Sequence, residues 1–177
     1  APDAKVALLV GALVRKGIET AIWSLCALPS QVHLVAVGAG PKERVRSLAR
    51  RAGVHARVHL IDPVRDIDRY YAGADALLFP TRYEPFGMVV AEAWAAGLPV
   101  VASGVTGATE WATHDENALV ISDPTDSRGF ANALMRILDN PSLAEQLSAR
   151  GRELARQFPW ERIVADTQSV YEKVVAG

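Results

Sequence analysis

The chain has 177 residues, enough to bury the core of a single domain. Half of its residues are hydrophobic and its formal net charge is −1, which argues against a disordered chain and against a polyanionic partner such as nucleic acid. No apolar run approaches the ~20 residues of a membrane span, and no secretory signal opens the chain.

The one cysteine, Cys26, has no disulfide partner in the chain and lies in an apolar stretch, so it is expected as a buried thiol of a reducing compartment. A first residue of Ala1 rather than Met hints at a processed or excised segment.

The first element expected is a fully buried strand, Lys5 to Gly11. A helix over 17–28 and a second buried strand, 31–38, follow. Over 42–52, Val45, Leu48, Ala49 and Ala52 form one apolar face, with Lys42, Glu43, Arg46, Arg50 and Arg51 outside it. Further strands are predicted over 57–61, 75–79, 99–102 and 118–121, and further helices over 66–73, 87–96 and 107–113. Strand and helix alternating this often implies a parallel sheet of about six strands covered on both faces.

The last third becomes helical. Phe130, Ala133, Leu134, Ile137 and Leu138 share one helix face, and Asn140-Pro141 opens another helix with proline in its first position. Phe158-Pro159 breaks that helix before a final amphipathic one carrying Trp160, Ile163, Val164, Val170, Tyr171 and Val174. The expectation is a single Rossmann-like α/β domain over 1–177, with 125–177 as its helical cover.

In such sheets ligands gather beyond the carboxyl ends of the strands. Gly11, Gly17, Gly38, Gly40, Gly87, Gly104 and Gly107 all fall at those ends, where glycine permits tight turns and close approach of backbone amides to an anion. Glu92 is the only charged residue between Glu84 and Glu110, within a run that otherwise reads as buried helix followed by buried strand. A lone carboxylate there needs a polar partner.

The segment Glu84-Pro-Phe-Gly-Met88 precedes a helix whose first amides are free to hold phosphate. Glu92 follows roughly 7 Å further along the axis, within reach of a ribose attached to that phosphate. Glu84 faces whatever the phosphate carries. Replacing Glu92 with alanine is then expected to abolish nucleotide binding and leave the fold nearly intact.

The stretch from Pro80 to Ser103 resembles the glutamate–seven residues–glutamate motif of retaining GT-B glycosyltransferases of family 4. Val10-Gly11 to Lys16-Gly17, Val37 to Pro41, Tyr70 to Asp75 and Phe158 to Glu161 fall in that family's order. The resemblance implies that Glu84 contacts the donor sugar and that the Phe86, Gly87 and Met88 amides lie near sugar and phosphates. It also implies that Glu92 bonds the ribose, that Lys16 neutralises the diphosphate, and that Val58 to Pro63 flank the base. The donor would be a UDP-, GDP- or ADP-sugar, transfer would retain configuration, and no metal or other cofactor would be required.

Two departures from the family accompany the match. The family usually carries Gly-Arg after the first strand; this chain has Gly11-Ala12 in a loop about a residue short, with Arg15 the candidate stand-in. The second departure is that the acceptor-binding N-terminal half has no counterpart in the chain. The resemblance therefore implies donor binding with little or no transfer by this chain alone. The intact cytoplasmic enzyme would take a glycan or glycolipid acceptor, and a peripheral membrane contact, through that other half. A catalytically inert nucleotide-binding or interaction module, and a GT-B nucleotide-sugar epimerase, remain alternatives.

Weaker signals read structurally. Asp66-Ile-Asp68 is expected to cap a short helix rather than hold metal. Gly38-Ala-Gly40 lacks the third glycine of a dinucleotide fingerprint. His33 and His59 are assigned structural roles, and His55 and His114 surface loops. The arginines from Arg44 to Arg57 are expected to form a solvated face. Glu110 either caps a short helix or lines the crevice. Trp160 and Tyr171 are expected to pin the last helix to the core, with an exposed apolar patch where that helix leaves the domain.

Overall fold

The computed structural model describes residues 3–176, so Ala1 lies outside the described residues. Its elements run β1 (Lys5–Val10), α1 (Ile18–Leu25), β2 (Val32–Val37), α2 (Lys42–Arg51), β3 (Val58–Ile61), α3 (Asp68–Gly73) and β4 (Ala76–Phe79). They continue with α4 (Met88–Ala96), β5 (Val100–Ser103), β6 (Leu119–Ile121), α5 (Ser127–Leu138), α6 (Pro141–Ala155) and α7 (Trp160–Ala176). Every expected strand forms within a residue or so of its predicted bounds. The helix predicted over 107–113 is a single 3-10 turn, Gly107–Trp111, and another such turn at His55–Arg57 had no sequence signal.

The six strands are all parallel and lie in the order β3-β2-β1-β4-β5-β6. This is the doubly wound arrangement, whose strand order reverses between β1 and β4. The central strand β4 reads as an unbroken apolar run because both of its faces are covered. In β4, Ala76 and Leu78 face α1, α2 and α5, while Leu77 and Phe79 face α3, α4 and the end of α6. Asp75 anchors the start of β1, accepting from the Val6 amide at 2.7 Å and from Lys5 Nζ at 3.0 Å.

The helical cover locks onto the sheet at α4. Trp94 is 1% exposed, donates from Nε1 to the Asn117 carbonyl at 3.0 Å, and packs against Gly151 of α6. Asn140 caps α6 by accepting from the Leu143 amide at 3.1 Å, with Pro141 in the first turn, as the sequence indicates. Asn140→Ala is expected to destabilise the domain by about 1 kcal/mol, read as a shift in urea midpoint at unchanged slope.

Several expectations give way. Cys26 is exposed, because it is the C-cap of α1 at the helix's solvent end. Asp66 and Asp68 make no side-chain cap on α3; the N-cap is Ile67, and Asp66 pairs with Arg69 at 3.3 Å. Arg57 is not solvated, since its guanidinium donates to the carbonyls of Leu25, Leu28, Pro29 and Val32. Trp160 and Tyr171 do not pin α7: they are 62% and 68% exposed. Phe158 is the aromatic that holds this end of the chain, its ring edge-on to Trp111 at 5.1 Å. Beyond Pro159 the helix leaves the core and presents Val164, Val170 and Val174 to solvent, the apolar patch expected there.

His33 and His59 stack on adjacent strands with ring nitrogens 3.0 Å apart. Burial, then the His59 and Arg57 charges, lower the His33 pKa. His55, His114 and Glu110 are exposed. No described helix is long and apolar enough to cross a membrane.

Candidate functional site

The β1–α1 and β4–α4 loops meet where the strand order reverses. Gly17 sits in the left-handed conformation (φ 77°) against the Pro80 carbonyl, where a Cβ would collide with the oxygen. Thr81 ties the same two loops together, its hydroxyl donating to the Arg15 carbonyl at 3.0 Å. This join brings Lys16 and Glu84, 68 positions apart, into a direct ion pair.

Lys16 is only 6% exposed, and its ammonium also lies 5.0 Å over the Phe79 ring. Burial, and then the neighbouring Arg15 charge, pull its pKa below the ordinary lysine value. The Glu84 carboxylate is therefore its main compensation. Arg15 itself is exposed, and its side chain makes no ion pair among the described residues. Ala12 is exposed on the same turn.

The Glu84–Gly87 segment is fixed from behind. Glu84 pairs in parallel with Thr106, and its carbonyl accepts from the Gly107 amide at 2.9 Å. The Phe86 carbonyl accepts from the Ala108 amide. A buried hydroxyl cluster supports this loop: Ser103 donates to the Thr81 carbonyl at 2.6 Å, and Thr109 to the Thr106 carbonyl at 2.6 Å. These hydroxyls were not singled out in the sequence, where their only signal is a run of small polar residues closing β5.

Gly87 is the N-cap of α4 at φ 98°, and a Cβ there would come within 2.6 Å of the Thr106 methyl. No other residue would leave that turn in place. The Val90 amide donates to the Gly87 carbonyl at 2.8 Å, which leaves the Met88 and Val89 amides, with the helix dipole, as the end of α4 open to an anion. Phe86 packs on Trp111 with ring centroids 5.8 Å apart, and Met88 is 42% exposed at the rim.

Glu92 is exposed rather than walled in, because α4 turns Val90, Ala93 and Trp94 inward and leaves Glu92 on the open side. Its polar partner is Tyr71, whose hydroxyl donates to Glu92 Oε2 at 2.6 Å. Tyr71 is 3% exposed, and burial, followed by its bond to Glu92, raises its pKa far above the usual phenol value. It therefore remains a donor at any physiological pH. The sequence signal for this contact is a tyrosine inside an apolar element, whose hydroxyl requires an acceptor.

Gly11, Lys16, Glu84, Phe86, Gly87 and Met88 lie on or beside the β1–α1 and β4–α4 loops, which the Gly17–Pro80 and Thr81–Arg15 contacts and the Lys16–Glu84 pair join at the carboxyl edge of the sheet. Glu92 lies further along α4, against Tyr71. No group of three or more His, Cys, Asp or Glu comes together among the described residues.

An all-parallel, doubly wound sheet of this order belongs to the open α/β class, whose ligand sites lie beyond the carboxyl ends of the strands at the switch point. The model of the family "Glycosyl transferases group 1" matches residues 4–140, and the chain belongs to that family. It is 36% identical over 165 residues to the lipopolysaccharide core biosynthesis glycosyltransferase LpsE of Rhizobium meliloti, covering 91% of this chain and 48% of that protein. Sucrose-phosphate synthase of Thermosynechococcus elongatus superposes with a TM-score of 0.90 at 33% identity, over 99% of this chain and 47% of that one. HepE of Anabaena, solved in complex with UDP-glucose, superposes with a TM-score of 0.86 at 25% identity, over 99% and 49%. The chain spans about half the length of the relatives it matches. Its architecture is the Rossmann-like half of a GT-B fold.

Proposed function

We propose that the chain is the nucleotide-sugar donor domain of a retaining hexosyltransferase. What supports this reading is the buried Lys16, paired with Glu84 of the loop that opens α4, with Glu92 exposed further along that helix. The diphosphate of a UDP-, GDP- or ADP-sugar lies against Lys16 and the Gly87 and Met88 amides. The ribose reaches Glu92, and the sugar faces Glu84. The base lies beside the backbone of Val58 to Pro63. HepE's bound UDP-glucose supports a nucleoside diphosphate hexose as the ligand class.

In the intact enzyme, Lys16 and the helix dipole stabilise the charge that develops on the leaving diphosphate, with no metal needed. The bond between the anomeric carbon and the phosphate oxygen breaks. The acceptor hydroxyl bonds to that carbon on the same face, and its proton passes to the departing phosphate. Configuration is retained. A glycan or glycolipid acceptor is supplied through a separate N-terminal half, so this chain binds donor with little or no transfer. The reaction belongs to the cytoplasm, where such donors are made.

Calorimetric titration with UDP, GDP and ADP, in chelator, tests this. One of the three is expected to bind selectively and to identify the base. Binding that appears only on adding a divalent cation would overturn the metal-independent reading. Failure of all three under both conditions would favour an inert module, a reading that Ala12 and the closed Lys16–Glu84 pair also support.

A further inference from the structure

The basic run of α2 is exposed, as expected, but its charges are not equivalent. Arg46 pairs with Glu43, and Arg50 borders a separate depression beside His55. Arg44 and Arg51 are left without an acidic partner among the described residues. They stand two helical turns apart, flank Ser47 and Leu48, and line a cleft of about 420 Å³ between α1 and α2. The opposite wall carries Arg82, whose nearest carboxylate, Glu19, is 4.0 Å away at the outer limit of an ion pair.

Three guanidiniums and one carboxylate therefore share a single cleft in a chain whose net charge is −1. Confining like charges to a concave surface raises the local positive potential and attracts anions. Guanidinium is also the side chain whose forked donors match phosphate oxygens. The floor is apolar, with Ile18, Val45 and Leu48 beneath the charges, and the volume suits a small organic molecule.

We propose that this cleft binds a phosphomonoester with a short apolar portion. The arginines hold the phosphate and the floor takes the carbon skeleton. A sugar or glycerol phosphate in solution and a phosphatidic acid headgroup share that chemistry. The cleft is separate from the donor crevice. It reaches Gly17 and Arg82 but not Lys16 or Glu84, so the assignment does not depend on the nucleotide reading.

The test is calorimetric titration with sn-glycerol 3-phosphate, alongside sedimentation with equimolar phosphatidic acid and phosphatidylcholine vesicles. Arg44→Gln/Arg51→Gln is expected to weaken whichever probe binds by about tenfold or more. Arg82→Gln, on a different element, should weaken it in the same direction. Arg46→Gln/Arg50→Gln removes equal charge outside the cleft and should leave binding within about twofold. Lys16→Ala should also keep it.

Binding of the glycerol phosphate would identify a soluble ligand, and binding of the vesicles alone a headgroup. The proposal is overturned if neither probe binds or if the cleft arginines can be replaced without effect. It is also overturned if Lys16→Ala abolishes binding, which would put the phosphate in the donor crevice.

Discussion

Glu92→Ala is expected to remove detectable nucleotide binding and to lower the unfolding free energy by about 1–3 kcal/mol. The two effects have different origins. Loss of binding follows from removing the acceptor for the ribose hydroxyls on the open side of α4. Loss of stability follows from Tyr71, whose buried hydroxyl has the Glu92 carboxylate as its partner. Without that carboxylate the phenol is stranded among Leu77, Val90 and other apolar side chains. The fold itself is expected to stay nearly intact, with the loss confined to its stability.

Tyr71→Phe separates the two effects. Added to Glu92→Ala, it removes the stranded donor and is expected to recover most of the lost stability, while binding stays absent. Alone, it frees a carboxylate oxygen and should change nucleotide affinity only a few-fold. Thermal denaturation and calorimetry on the four chains provide both readouts. A Glu92→Ala chain that still binds nucleotide would remove the ribose role. A double variant as unstable as the single would remove the stranding account.

The strands were legible because a parallel sheet covered on both faces demands continuous apolar runs, and residues 76–79 and 100–102 supply them without interruption. Helix starts with local chemistry were legible for the same kind of reason, as at Asn140-Pro141. Contacts made by topology were not. Lys16 meets Glu84 because β1 and β4 are neighbours in the sheet, and no local pattern specifies that adjacency. Tyr71 and Glu92 lie on different helices, so the sequence could signal only that each needed a partner.

The errors share a cause. Glu92 was read from the apolar composition around it, whereas α4 has an open side onto which Glu92 turns. Trp160 and Tyr171 were read as core residues from helical spacing, but spacing defines a face without saying what covers it.

Ala12→Arg is expected to tighten diphosphate binding by about ten- to hundredfold, as a charge-assisted contact to phosphate contributes roughly 1.5–3 kcal/mol. A bound diphosphate meets one buried cation, Lys16, which is already paired with Glu84. Position 12 is exposed on a turn held by the Leu13 amide donating to the Ala39 carbonyl, and by the Lys16 amide donating to the Ala12 carbonyl, each at 2.9 Å. A long side chain added there enters no packed volume, so thermal stability should be unchanged. The gain should appear with UDP and be much smaller with UMP, because the new cation addresses the second phosphate. If affinity does not rise and Arg15→Gln weakens it, Arg15 already supplies the second cation from its shifted position. If neither substitution changes affinity, Lys16 and the α4 N-terminus carry the phosphates alone.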